Sequence, residues 1–420
     1  MSARGLGFRK EKAVAIGIFC VTFLVALTWL QILGVVLGDM HHAPFNDDQF
    51  YRAMSESPLA QAKPISAWLA EPHFAFQQGS VANVYGPNSI YSSFLHAENG
   101  LANQSPWAYR ILVPYSVWGL THIGFSTGAA FAFLYAVGAG LLTTFCFGSM
   151  SPSWRWSWKA AVITAGFFSI AMLTMPDPYY PDLMFLGLMM TAVWAARRRS
   201  VLLFVLASLL ATLAKESGVV LLVVWLANWY PWTGTPKRLV LLPAMAPVIG
   251  FVTPRLLVTV PNTNVDFVRL IKFLAPTAWD PGMLLVILAL IAPVVAATAL
   301  RRTKQAELPD QVIYAVGIVW AVGTMLIATN QQRMGSFMLP LMLAPSTWAV
   351  VRSKAWVWVG GAACAVYPLS YVGAMVLPRQ VLWPAAAAVI LALWIVAFHR
   401  ERTMEPLAGH IGSSDLKVGS

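Results

Sequence analysis

Apolar runs of near-membrane length, broken by short polar links, fill most of this chain. A spanning helix needs roughly 20 apolar residues. Runs of that kind lie near 13–37, 126–148, 159–175, 181–196, 200–214, 217–233, 238–253, 282–300, 311–328, 335–350, 355–376 and 380–398. The pattern predicts an all-α polytopic transmembrane bundle of about twelve spans. Residues 1–400 form one integral membrane domain in this reading, and 401–420 form a disordered cytoplasmic tail. The first run is longer than a signal-peptide core and no small-residue cleavage site follows it, so it reads as an uncleaved first span.

Composition agrees. The chain is 58% hydrophobic and 11% charged, well below the charge of an ordinary soluble domain. A net charge of +11 does not point to nucleic acid here, because Lys and Arg gather on the cytoplasmic side of membrane proteins. With the N-terminus inside and sides alternating, 19 of the 28 basic residues fall inside. They include the tight clusters at Arg197–Arg199, Lys237–Arg238 and Arg301–Lys304. Eleven of the 17 acids fall outside. Both termini are then cytoplasmic. Cys20, Cys146 and Cys364 each sit in an apolar run and suggest neither a disulfide framework nor a metal site.

The outer face carries the longest loop, residues 38–125, and most of the candidate chemistry. This loop alternates aromatic and polar residues, so it is predicted to be partly helical, with interfacial helices near Ile65–Ala70 and Ile111–Leu120. Trp68, Trp107 and Trp118 suit an interfacial belt. "FNDDQFYRAM" opens the loop. Asp47 and Asp48 there suit a helix N-terminus, where the dipole favours anions, and equally a general base or a metal ligand. His41, His42, His73, His96 and His122 lie in the same loop without metal-ligand spacing.

Three further stretches place charge at the outer edge. "MPDPYYPDLMF" carries Asp177 and Asp182, and Pro181 with Asp182 suits a helix start. "LLATLAKESGVVLL" interrupts a long apolar stretch with Lys215 and Glu216. Charges in such a place are costly and tend to be functional or paired. The plainer account is a hairpin tip, with Lys215 at one helix C-terminus and Glu216 and Ser217 capping the next helix. "ATNQQRMGSF" carries Arg333, which suits either a phosphate or a snorkelling position. Arg110, in "SPWAYRILVPY", is a third outer cation.

The order and sidedness of these stretches resemble the GT-C superfamily of polytopic glycosyltransferases, over roughly residues 10–350. "PWAYRILVP" resembles an aromatic-Tyr-Arg-apolar-Pro element of uncharacterised bacterial members. The resemblance implies a glycosyltransferase that takes a sugar from a polyprenyl-phosphate donor. The acceptor would be a glycan, lipid or protein on the outer, periplasmic face. It implies Asp47 or Asp48 as catalytic base, with Asp177 or Asp182 assisting, or binding a divalent metal ion in members that use one. Lys215, Arg333 and Arg110 would hold the donor phosphate, with Glu216, Asp182 and Tyr51 completing the substrate-binding set. No large soluble C-terminal domain follows the spans, which leaves the acceptor open. A transporter or flippase is the rival reading. It is disfavoured because the long first loop has no counterpart in the second half. An O-antigen ligase or polymerase is a third reading, for which the major outer loop is expected late in the chain.

Overall fold

The structure, a computed structural model, describes residues 3–37, 110–149, 181–230, 236–257, 312–313, 315–316 and 379–403. These are helical apart from short links, and no strand occurs among them. The helices are α1 (Ala3–Leu37), α2 (Leu112–His122), α3 (Thr127–Ser149), α4 (Asp182–Arg197), α5 (Val201–Ala214), α6 (Leu221–Trp229), α7 (Lys237–Leu257) and α8 (Arg379–Thr403). A 3-10 turn, Glu216–Val220, leads into α6. The expected spans near 159–175, 282–300, 335–350 and 355–376, and most of 311–328, lie outside the described residues. So does the expected helix near Ile65–Ala70.

Among the described residues, three helical segments are long and apolar enough to cross a membrane: Ala13–Gln31, Thr127–Ser149 and Lys237–Leu256. Val201–Ala214 and Glu216–Trp229 are shorter apolar helices. The chain divides into two compact units, Met1–Gly148 with Thr174–Leu270 and Ser149–Leu173 with Ile271–Ser420. In the second unit α8 continues to Thr403, beyond the expected start of the tail at 401. Arg400, Glu401 and Arg402 extend it because such residues are good helix formers.

The first unit is built around α4. Nearly every residue of α4 is buried, including both faces, as a helix that is apolar all round requires. Its neighbour α3 comes so close that a Cβ on Gly187 would stand 2.5 Å from the Gly138 carbonyl oxygen. A Cβ on Gly138 would stand 2.6 Å from the Met184 amide nitrogen. Two glycines therefore let the backbones touch, the packing mode expected where helices gain nothing from excluding lipid. The α1 helix lies against α3 through the edge-on rings of Phe23 and Phe133 and the Thr143–Thr22 hydroxyl pair at 3.0 Å. Buried Thr191, Thr212 and Asn228 donate to carbonyls one turn back in their own helices, which satisfies them without water.

The α5, α6 and α7 helices share one layer. Phe204 of α5 stacks on Trp225 of α6 at 4.3 Å, and Trp225 Nε1 donates to the Val240 carbonyl of α7 at 2.8 Å. These contacts fix helix direction. The α5 helix begins, α6 ends and α7 begins at one end of the unit. The α3 helix ends there too, because Gly148 abuts the Trp194 ring near the α4 C-terminus. Arg197, Arg198, Arg199, Lys237 and Arg238 gather at this end. At the other end lie the start of α4, the end of α5 and the approach to α2.

Candidate functional site

The acidic and basic residues at that second end are brought together from three separated stretches. Lys215 follows α5 directly, and its own backbone is extended. It stands where the helix dipole favours a cation, and Asp182 stands in the first turn of α4, where the dipole favours an anion. The antiparallel hairpin superposes those two ends. Lys215 Nζ donates to Asp182 Oδ1 at 2.7 Å, with the two side chains 5% and 0% exposed. The expected hairpin tip is present, but Glu216 and Ser217 do not cap the next helix: Val220 stands at its N-cap and no side chain bonds there, because Glu216 is taken by Arg110. The charges of Lys215 and Asp182 are each spent on the other's helix. Gly218 permits the tight return. A Cβ there would lie 2.8 Å from the Thr212 amide nitrogen, so only glycine lets the 3-10 turn rest on α5.

Glu216 turns the other way. Arg110 Nε donates to Glu216 Oε2 at 2.9 Å and Nη2 donates to Oε1 at 2.7 Å. This fork-on-carboxylate geometry is the strongest that two side chains form. It ties the residue just before α2, and hence the end of the long first loop, to the α5–α6 turn. Glu216 is the first residue of that turn, ahead of the uncharged run that begins at Ser217. Burial pushes its carboxyl up. The charge and hydrogen bonds of Arg110, its own backbone amide and the charge of Lys215 together outweigh burial and hold it at about 2.

The two pairs differ in access. The Lys215–Asp182 pair is sealed, whereas the Glu216 side chain keeps 25% of its surface open beside Arg110. Of the two cations here, Arg110 is the less enclosed, its side chain 10% exposed against 5% for Lys215. Neither acid of this cluster suits proton abstraction. Glu216 is too weak a base, and Asp182 is sealed under an ammonium group. The same ammonium group makes Asp182 a poor ligand for a divalent ion. Among the described residues, no three His, Cys, Asp or Glu side chains come together to hold a metal. Asp47, Asp48, Tyr51, Asp177 and Arg333 lie outside the described residues.

Sequence reasoning singled out Lys215, Glu216, Asp182 and Arg110 but not their pairing. It missed the aromatic partners at the opposite end, Trp194 and Trp229, although each stands within a few residues of the arginine cluster or its neighbouring turn. The α2 helix falls where a short helix was expected, and the Trp118 ring on it meets the His122 ring at 4.4 Å, tilted by 54°. No known family, curated protein or solved structure matches the chain.

Proposed function

We propose that this chain is a polytopic membrane glycosyltransferase of about twelve spans, with its site on the outer face of a bacterial inner membrane. The carrying observation is the convergence of Arg110, Asp182, Lys215 and Glu216 at the end of the first unit opposite the arginine cluster. A membrane chain places charge there at a cost, and a phosphate-linked lipid substrate gives that cost a purpose.

In this reading the arginine cluster is cytoplasmic by the positive-inside rule, so the paired charges face the periplasm. The donor is a polyprenyl-phosphate sugar. Arg110 meets its phosphate through the fork of donors now engaged by Glu216, and Glu216 yields as the phosphate arrives. Lys215 and Asp182 act as a fixed anchor for the turn and hold Glu216 in place. Asp48 or Asp47 takes the acceptor proton, with Asp177 supporting, and Arg333 and Tyr51 complete the substrate contacts. The sugar–phosphate bond breaks, the acceptor oxygen takes the sugar, and polyprenyl phosphate leaves with its charge held by the cations.

The test is direct. Purified protein in lipid, given a labelled polyprenyl-phosphate sugar, releases polyprenyl phosphate. Asp47→Asn with Asp48→Asn stops release, and Arg110→Gln raises KM for the donor more than it lowers kcat. Full turnover by the double Asn variant would remove the base assignment. Vectorial movement of the intact donor without cleavage would favour a flippase.

A further inference from the structure

The opposite end of the same unit carries a second arrangement that the transfer reaction does not use. Arg197, Arg198 and Arg199 turn the chain from α4 into α5, and Lys237 and Arg238 begin α7. The layer formed by Phe204, Trp225 and Val240 puts these two groups at one level, since each lies about one turn beyond it. No acid occurs in residues 183–215 or 217–265, so no carboxylate of these elements stands against Arg198, Arg199, Lys237 and Arg238.

Topology alone would explain the charges but not how they are held. Arg199 takes the left-handed backbone conformation, φ 53°, which an L residue adopts at a cost. Its guanidinium lies 4.9 Å from the Trp229 ring centroid and donates to the carbonyl of buried Asn228 at 3.4 Å. Arg198 lies 5.5 Å from the centroid of Trp194. An arginine resting on a ring keeps the N–H groups along its edge free to meet phosphate oxygens. Both guanidiniums are therefore oriented before any ligand arrives, which lowers the entropy lost on binding. Arg198, Arg199, Lys237 and Arg238 are exposed.

We infer that this end binds the phosphate headgroup of an anionic phospholipid, with Arg198 and Arg199 as the preoriented pair and Lys237 and Arg238 as the flanking charges. A lipid is the occupant because the cations crown apolar helices. Leu202, Leu239 and Leu242 are exposed just inside the basic end, where acyl chains would lie. The inference rests on the membrane reading and not on the transfer reaction.

Full-length protein in an uncharged detergent is titrated with phosphatidylglycerol and, separately, with phosphatidylcholine, and retained lipid is counted by native mass spectrometry. Phosphatidylglycerol is expected to bind at about a hundredfold lower concentration. Arg198→Gln with Arg199→Gln should weaken it about thirtyfold, the share of two cations near an anionic headgroup, and leave phosphatidylcholine unchanged. Lys237→Gln with Arg238→Gln alters exposed positions away from the rings and should weaken it in the same direction while the fold stays intact. Equal retention of the two lipids overturns the inference, as does undiminished phosphatidylglycerol binding in both double variants. Displacement by inorganic phosphate at constant ionic strength would assign the site to free anions and also overturn it. Loss of donor turnover in any variant does not bear on the lipid count, so the two readings fail separately.

Discussion

Lys215 and Asp182 form a contact in which each ion keeps the other affordable. Removing one partner of a buried pair leaves an uncompensated charge, while replacing both with apolar groups removes the problem. Lys215→Met should therefore cost about 3 kcal/mol of stability, and Lys215→Met combined with Asp182→Leu distinctly less. Thermal unfolding of the detergent-solubilised variants measures this, and a double variant weaker than the single would contradict the pairing. The Arg110–Glu216 pair answers to pH. The folded Glu216 carboxyl titrates at about 2, against an ordinary 4.5, so its contribution to stability is complete above 4.5 and is lost as pH falls towards 2. The acid limb of the stability profile should flatten in Glu216→Gln, and an unchanged limb would show that the pair adds nothing to folding.

Among elements, α3 and α4 approach one another backbone to backbone. Gly138 and Gly187 face one another with no room for a side chain, and the obstacles are backbone atoms that cannot rotate aside. Gly187→Ala should separate the helices and cost about 1 to 3 kcal/mol, the usual range for overpacking. The shift would also tilt the buried α4 and move Asp182 against Lys215. Reduced stability is the expected reading in urea or thermal titration; a neutral substitution would mean that the two helices pack less closely than described. The α7 helix carries Pro243, Pro247 and Pro254 and remains continuous. Membrane helices tolerate such residues when neighbours and local adjustment re-satisfy the freed carbonyls.

At the scale of the first unit, the helices sort charge by end. The 14 residues of α5 rise about 21 Å between the arginine cluster and the Lys215 turn. That is somewhat short of the roughly 30 Å hydrocarbon core, and flanking residues extend it. Single cysteines at Ile123 and Tyr230, both exposed, lie at opposite ends. In a background without native cysteines and in sealed vesicles, an impermeant thiol reagent should label one from outside and the other only after permeabilisation. Labelling of both from one side would refute the crossing.

What the chain determined on its own is the element pattern of this unit and the location of its charges. Continuous apolar runs require helices, and interruptions such as Lys215–Glu216 mark where those helices end, because charge in an apolar run is too costly to be placed casually. The start of α4 at Asp182 and the turn at Lys215 were legible for that local reason. The pairing was not. Sequence reading placed Lys215 and Glu216 together as one candidate pair, whereas tertiary structure sends Lys215 to Asp182 and Glu216 to Arg110. Partner choice depends on which helix ends the packing superposes and on the direction each side chain leaves the turn. Adjacent residues 215 and 216 leave that turn in different directions and meet different elements. The same holds for Arg199 and Trp229, which lie far apart in the chain and meet only because Phe204, Trp225 and Val240 hold three helices in one layer.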